Sequence, residues 1–266
     1  MINNLHWKDN VLSFFKNKKN NKLVLITIFM YLFFLVLTLP ASVVVSWLTL
    51  PANTKIANPS GSIWLGKAES IRYSGVDLGA LEWELHPLSF FLGELSADVS
   101  IIKNKEYFRS EVSLSPSGKI ELEETRFFVE LSSFQALSYG MPFSYDGIVS
   151  GYFPVSHFYK DHYIGLNGKL SLNSIKLISP QRQLFGDFTI DFRAENKGLS
   201  SGKIKDNGGP LELSGKVMLD KNGLLNLTSK LFAREKGGSL EKMISFLGQK
   251  DGSGRIQIKH SLALWK

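Results

Sequence analysis

The chain has 266 residues, 44% of them hydrophobic, with a formal charge of +7 and no cysteine. That composition suits a folded core, and the missing thiols exclude a disulfide scaffold, a cysteine nucleophile and a cysteine-ligated metal. The basicity is local: residues 1–22 hold five lysines against Asp9, a net of +4, which leaves +3 for the rest and argues against a nucleic-acid-binding domain.

Residues 1–22 form a basic tail in which Leu5, Trp7, Val11, Leu12, Phe14 and Phe15 are interspersed with the lysines. It reads either as a short amphipathic helix on an anionic leaflet or as a loose topogenic tail. No charged residue occurs from Leu23 to Leu50. A helix needs roughly 20 apolar residues to cross a bilayer, so the run predicts a transmembrane helix over 23–45. Pro40 falls late in it, where a kink or the outer interface absorbs it. Val43 to Val45 extend the apolar length, and Trp47 suits the interface. Lysines precede the run and none follows until Lys55. The positive-inside rule therefore puts the amino terminus in the cytoplasm. A cleaved signal peptide is the competing reading, but its apolar region is usually only about 7–15 residues. Residues 46–60 are expected to be a linker outside the cytoplasm.

Residues 61–266 read as one β-rich domain. Period-two alternation marks strands with one buried face. Leu81, Trp83 and Leu85 alternate with Glu82, Glu84 and His86. Leu184, Gly186, Phe188, Ile190 and Phe192 share one face, as do Leu211, Leu213, Val217 and Leu219. Asn222-Gly223 predicts a tight hairpin. Turns are expected at Ser115-Pro116-Ser117-Gly118 and Asn207-Gly208-Gly209-Pro210. The apolar phase slips near Asn173, as a β-bulge requires. Short helices are expected over 132–139 and, capped by Ser239 and ended by Gly248, over 239–247. The polar stretch 196–210 reads as a loop or hinge, and a last strand as about 255–264. The fold class is mainly β: one transmembrane helix, then an antiparallel meander with one or two short helices. The meander is either sandwich-like or an open curved sheet.

Catalytic signatures are lacking. His157 and His162 are spaced for neither a zinc helix nor a zinc strand pair. Glu121, Glu123 and Glu124 read as a solvated face. No Gly-x-Ser-x-Gly elbow or phosphate-cradling loop occurs. No catalytic residue, metal or cofactor is expected.

Gly61-Ser62-Ile63-Trp64-Leu65-Gly66 follows the apolar run after a short spacer. Leu78-Gly79-Ala80-Leu81-Glu82-Trp83-Glu84-Leu85-His86-Pro87 comes next, then Leu88 to Gly93. This block resembles the protein N family of the bacterial type II secretion system. Members of that family open their periplasmic part with Gly-Thr/Ser-Ile/Val-Trp-x-Gly and Leu-Gly-x-Leu-x-Trp-x-Leu-x-Pro segments. Leu65 stands where a small polar residue is more usual. The carboxyl end is also similar, with Phe246-Leu247-Gly248-Gln249, Asp251 and Gly254-Arg255. The resemblance implies a non-enzymatic accessory component of the inner membrane of a Gram-negative cell. Its body would be periplasmic, and its partners other inner-membrane secretion subunits. The alternative function is a membrane-tethered β groove that binds lipid or other amphiphiles. The motif residues are Gly61, Ile63, Trp64, Gly66, Leu78, Gly79, Leu81, Trp83, Leu85, Pro87 and Gly93. They read as shapers of the fold, with Trp64 and Trp83 as anchors and glycines relieving crowding beside them. The other reading is a docking surface.

Overall fold

The computed structural model describes residues 18–138, 143–159, 162–195 and 198–263. The tail up to residue 17, where the amphipathic pattern falls, lies outside them.

Helix α1 (Lys18–Leu37) holds most of the apolar run. It stops short of the expected boundary at residue 45. Pro40 has no N–H to continue the ladder, and it pushes Leu39 out of the helical region. Pro40 becomes the N-cap of a separate short helix, α2 (Ala41–Trp47). The apolar part of α1, Leu23 to Leu37, rises about 22 Å, against a hydrocarbon core of roughly 30 Å. Among the described residues no single helix is long and apolar enough to cross a membrane. Val43 to Val45 were expected to prolong the span; instead they are half-buried. Val44 and Val45 line a hollow against the sheet.

The rest is one antiparallel sheet whose 13 strands pair strictly in chain order. Its first half comprises β1 (Thr54–Gly61), β2 (Leu65–Tyr73), β3 (Val76–Leu85), β4 (Leu95–Lys103), β5 (Glu106–Leu114) and β6 (Lys119–Glu130). Then follow β7 (Ser144–Tyr159), β8 (His162–Ser179), β9 (Gln183–Glu195) and β10 (Leu199–Asp206). The series ends with β11 (Leu211–Leu219), β12 (Leu224–Ala233) and β13 (Ile256–Ala263). Among the described residues no pairing joins β1 to β13, so the sheet is open and not a sandwich. β1 begins within the stretch 46–60.

One apolar face runs across the strands. The register aligns Leu81 with Ile101, Ile101 with Phe108, and Phe108 with Phe127. Beyond Gly151 and Leu170 it continues through Ile190 and Ile204. Towards the carboxyl end a core forms where helix α3 (Ser239–Ser245) lays Leu240 and Ile244 on Phe188, Leu211, Leu231 and Ile256. Gly238, not Ser239, is the N-cap of α3, and the Ser239 hydroxyl instead donates to Gln183. Leu247, expected on the buried helix face, is exposed beyond the last turn.

The stretch 196–210 differs from expectation, since Leu199–Asp206 is strand β10. Ser200, Gly202 and Ile204 face the apolar side. At Gly202 the Ile190 and Phe192 side chains occupy the space a Cβ would need, and the Ser200 hydroxyl accepts the Leu166 N–H. The bulge near Asn173 is present: pairing slips between Leu172 and Ile175, with Ser174 at φ 52°. A second slip follows at Gly186. It leaves Leu184 exposed and turns Phe185 into the core in its place. At the predicted hairpin only Gly223 has positive φ, and Asp220 accepts the N–H groups of Asn222 and Leu224. The expected helix over 132–139 is a 3-10 turn, Leu131–Ser138; Tyr139 lies outside the described residues.

Candidate functional site

The motif residues meet where α1 gives way to the sheet. Gly61 ends β1 at φ +86°, and a Cβ there would lie 2.6 Å from the Leu65 carbonyl. Ser62 N–H donates to that carbonyl, and the Ser62 hydroxyl accepts the Leu65 N–H. This tight turn projects Ile63 and Trp64 towards the helix end. Ile63 N–H donates to the Leu39 carbonyl at 2.9 Å. Trp64 Nε1–H donates to the Val36 carbonyl at 3.1 Å. Pro40 and Ser62 form an isolated bridge. The last carbonyls of a helix have no intrahelical partner. Here the motif turn supplies partners, and the chain exits α1 clasped to the sheet.

Trp83 closes the clasp from the other side. Its Nε1–H donates to the Ile63 carbonyl at 3.1 Å, and Leu85 N–H donates to the Trp64 carbonyl at 2.7 Å. Gly66 sits under the Trp83 ring, where any Cβ would overlap the indole. Gly79, at φ +112°, lies against the Ile102 carbonyl with no room for a side chain. Its N–H donates to Asp77, whose carboxylate also accepts the Ser70 hydroxyl. The Ser70 hydroxyl above all, then the Gly79 amide, holds the Asp77 carboxyl below its ordinary range.

Leu81 and Leu85 point with Trp83 into an apolar hollow of about 470 Å³ between α2 and strands β1–β6, which Ile63 also lines. Leu78 belongs elsewhere: it lines a smaller hollow of about 260 Å³ beside the 3-10 turn Leu131–Ser138. Pro87 opens a second 3-10 turn, Pro87–Leu92, and Gly93 ends it in the left-handed region at φ 80°. Phe90 of that turn meets the Trp64 ring edge-on at 5.9 Å. The motif thus gathers Gly61, Ile63, Trp64, Gly66, Leu81, Trp83 and Leu85 into one assembly with Pro87 and Gly93 at its rim. Leu78 and Gly79 stand apart.

On the opposite, polar face, Glu82 and Glu84 border an open hollow of about 780 Å³ with Lys67, Asp98, Arg109 and Arg126. Glu124, expected to be solvated, is exposed and pairs with Arg126 at 3.0 Å. Glu121 is half-buried and pairs with Lys119 at 2.7 Å. Among the described residues no group of three or more His, Asp or Glu is placed to hold a metal ion.

The sequence did not reveal the partners on the helix side. Val36 and Leu39 contribute backbone carbonyls, which leave no trace in residue type. Phe90 stands in the apolar run Leu88-Ser89-Phe90-Phe91-Leu92, where residue type does not mark which aromatic meets Trp64.

Fold and clasp together define an apolar amino-terminal helix joined to a long antiparallel β meander. The family model described as "Type II secretion system (T2SS), protein N" matches residues 52–259. The chain belongs to that family, and so is a type II secretion component. It is 25% identical to the type II secretion system protein N of Aeromonas hydrophila over 245 residues, 86% of this chain and 93% of that one. To the Vibrio cholerae protein of the same name it is 41% identical over 64 residues, a quarter of each chain (24% and 25%). To the Klebsiella pneumoniae protein it is 39% identical over 69 residues, 26% of each. No solved structure matches.

Proposed function

We propose that this chain is a non-enzymatic scaffold subunit of type II secretion, anchored in the inner membrane with its sheet in the periplasm. The observation that carries the reading is the clasp. Trp64 and Ile63 bond the end of α1 to the sheet, so the sheet takes a fixed orientation relative to the helix. Apolar side chains around α1 are exposed on all sides, as a bilayer-embedded helix requires. Its short apolar length is met by local thinning of the bilayer around α1. The docking surface is the polar hollow, where Glu82 and Glu84 stand among charges of both signs. Other inner-membrane secretion subunits are its partners.

The test has two parts. Alkaline phosphatase fused after residue 60 is active in a Gram-negative host; a fusion made in full but inactive removes the topology. Glu82→Lys with Glu84→Lys weakens crosslinking to at least one secretion subunit; unchanged crosslinking to all of them removes the docking surface.

A second reading has one observation in its favour. The hollow beside α2 is lined by Val44, Val45, Leu81, Leu85, Val99 and Leu114 and is wide enough for part of an acyl chain. Lipid retained by the purified protein and released by Val99→Trp supports that reading.

A further inference from the structure

The 3-10 turn Pro87–Leu92 is an exposed apolar tip held rigidly by its base. Leu88 is 75% exposed, Phe91 87% and Leu92 84%, and no charged residue lies between His86 and Glu94. Such a tip normally folds inward or frays. Here the backbone fixes it outward. Ser89 N–H donates to the His86 carbonyl, Gly93 N–H to Phe90, and Glu94 N–H to Ser89. The Ser89 hydroxyl donates to the His86 carbonyl at 2.7 Å and accepts the Ser96 N–H at 3.1 Å. The backbone groups of the turn are therefore largely paired, which any segment entering hydrocarbon requires.

Its position identifies what covers it. Phe90 packs on Trp64, and Trp64 bonds Val36 in the last turn of α1. The tip is thus one side chain away from the point where the apolar helix leaves the bilayer. Leu65, in the motif turn, is also 65% exposed. Exposed apolar side chains that border the exit of an apolar helix fit the acyl region of the same leaflet.

We propose that Leu88, Phe91 and Leu92 insert into the outer leaflet of the inner membrane. They form a second contact that, with α1, fixes the sheet at a set angle to the bilayer. This rests on the membrane anchoring proposed above. The chain has no cysteine, so single cysteines can be placed freely. Phe91→Cys, Leu32→Cys in α1 and Ser117→Cys in the β5–β6 turn would each carry an environment-sensitive fluorophore. The full chain is reconstituted in phosphatidylethanolamine–phosphatidylglycerol vesicles, with or without acyl-brominated lipid. Labels at 91 and 32 are expected to emit at shorter wavelength and to lose intensity to brominated chains, whereas the label at 117 responds only to aqueous iodide. If 32 is quenched by lipid and 91 by iodide, the insertion is wrong and the anchor stands. Quenching of 91 without 32 removes the anchor and, with it, the two-point contact proposed here. A label at 91 reached by neither quencher means a protein covers the tip, and this overturns the proposal.

Discussion

The indole N–H of Trp64 donates to the carbonyl oxygen of Val36 across 3.1 Å, joining residues 28 apart in the chain. A helix end that would otherwise be tied to the domain only by its connecting segment is held by a side chain of the first hairpin. Leu39 is held next to it by Ile63. Orientation therefore passes from α1 to the sheet through hydrogen bonds as well as through the covalent chain.

Two substitutions separate the hydrogen bond from the packing of that indole. Trp64→Phe keeps a ring against Phe90 and loses the donor, at a cost of about 0.5–1.5 kcal/mol. Trp64→Ala loses both, at a cost of about 3 kcal/mol or more. Thermal unfolding of the full chain in detergent measures the two. If Phe and Ala destabilise equally, the bond and not the packing carries the joint.

Gly66 has no room for a methyl group because the Trp83 ring lies on it. Gly66→Ala should destabilise by about 1–3 kcal/mol through overpacking. Adding Trp83→Leu, which withdraws the ring, should relieve part of that cost and leave the part set by the Ser62 carbonyl, 2.8 Å from the new methyl group. A double-mutant cycle reports that coupling, and strict additivity would show that the two residues do not compete for one space.

Ile244 of α3 is buried on Phe188, Leu211, Leu231 and Ile256. Ile244→Ala should cost about 2–4 kcal/mol. Because the strands pair only with chain neighbours, the loss should stay local. Hydrogen exchange should quicken in β11–β13 and hardly change in β2–β5. Uniform quickening along the whole sheet would contradict a local core.

Asp251 organises the loop between α3 and β13. Its carboxylate accepts the Ser253 hydroxyl first of all, then the amides of Arg255 and Ser253, and its pKa is lowered from 3.8 to about 2. The sign follows from linkage. A depressed carboxyl stabilises the fold fully above the unfolded value and loses that contribution as pH falls through the folded one. The loop should hold at pH above about 3.8 and loosen progressively towards pH 2. Amide shifts of Ser253 and Arg255 followed by NMR should titrate near the lower value. A midpoint near 3.8 would show the carboxylate to be free, and Asp251→Asn should abolish the transition.

Legibility followed how each feature was encoded. The strand from Leu81 to Leu85 was readable because every second residue is large and apolar. β10 was not, because two of its three buried positions are Ser200 and Gly202, and at Gly202 the Ile190 and Phe192 side chains leave no room for a larger residue. Leu184 was assigned to the buried face, yet the slip at Gly186 gives that place to Phe185. A bulge changes which parity is buried, and pattern alone shows it only when both sides of the slip are apolar, as around Asn173. In the motif block, residue types marked Trp64, Trp83 and the glycines. Their grouping against Val36 and Leu39 depended on main-chain carbonyls.

The apolar amino-terminal helix, the meander of alternating strands, the turns at glycine and the family were all legible from the order of residues. All of these are local in the chain and rest on side-chain periodicity and backbone preference. Long-range packing settled that the sheet stays open and that α2 lies on the sheet. It also decided that Trp64 locks the helix exit. Those outcomes depend on register and on which distant atoms come within reach, and neither is written in the type of any single residue.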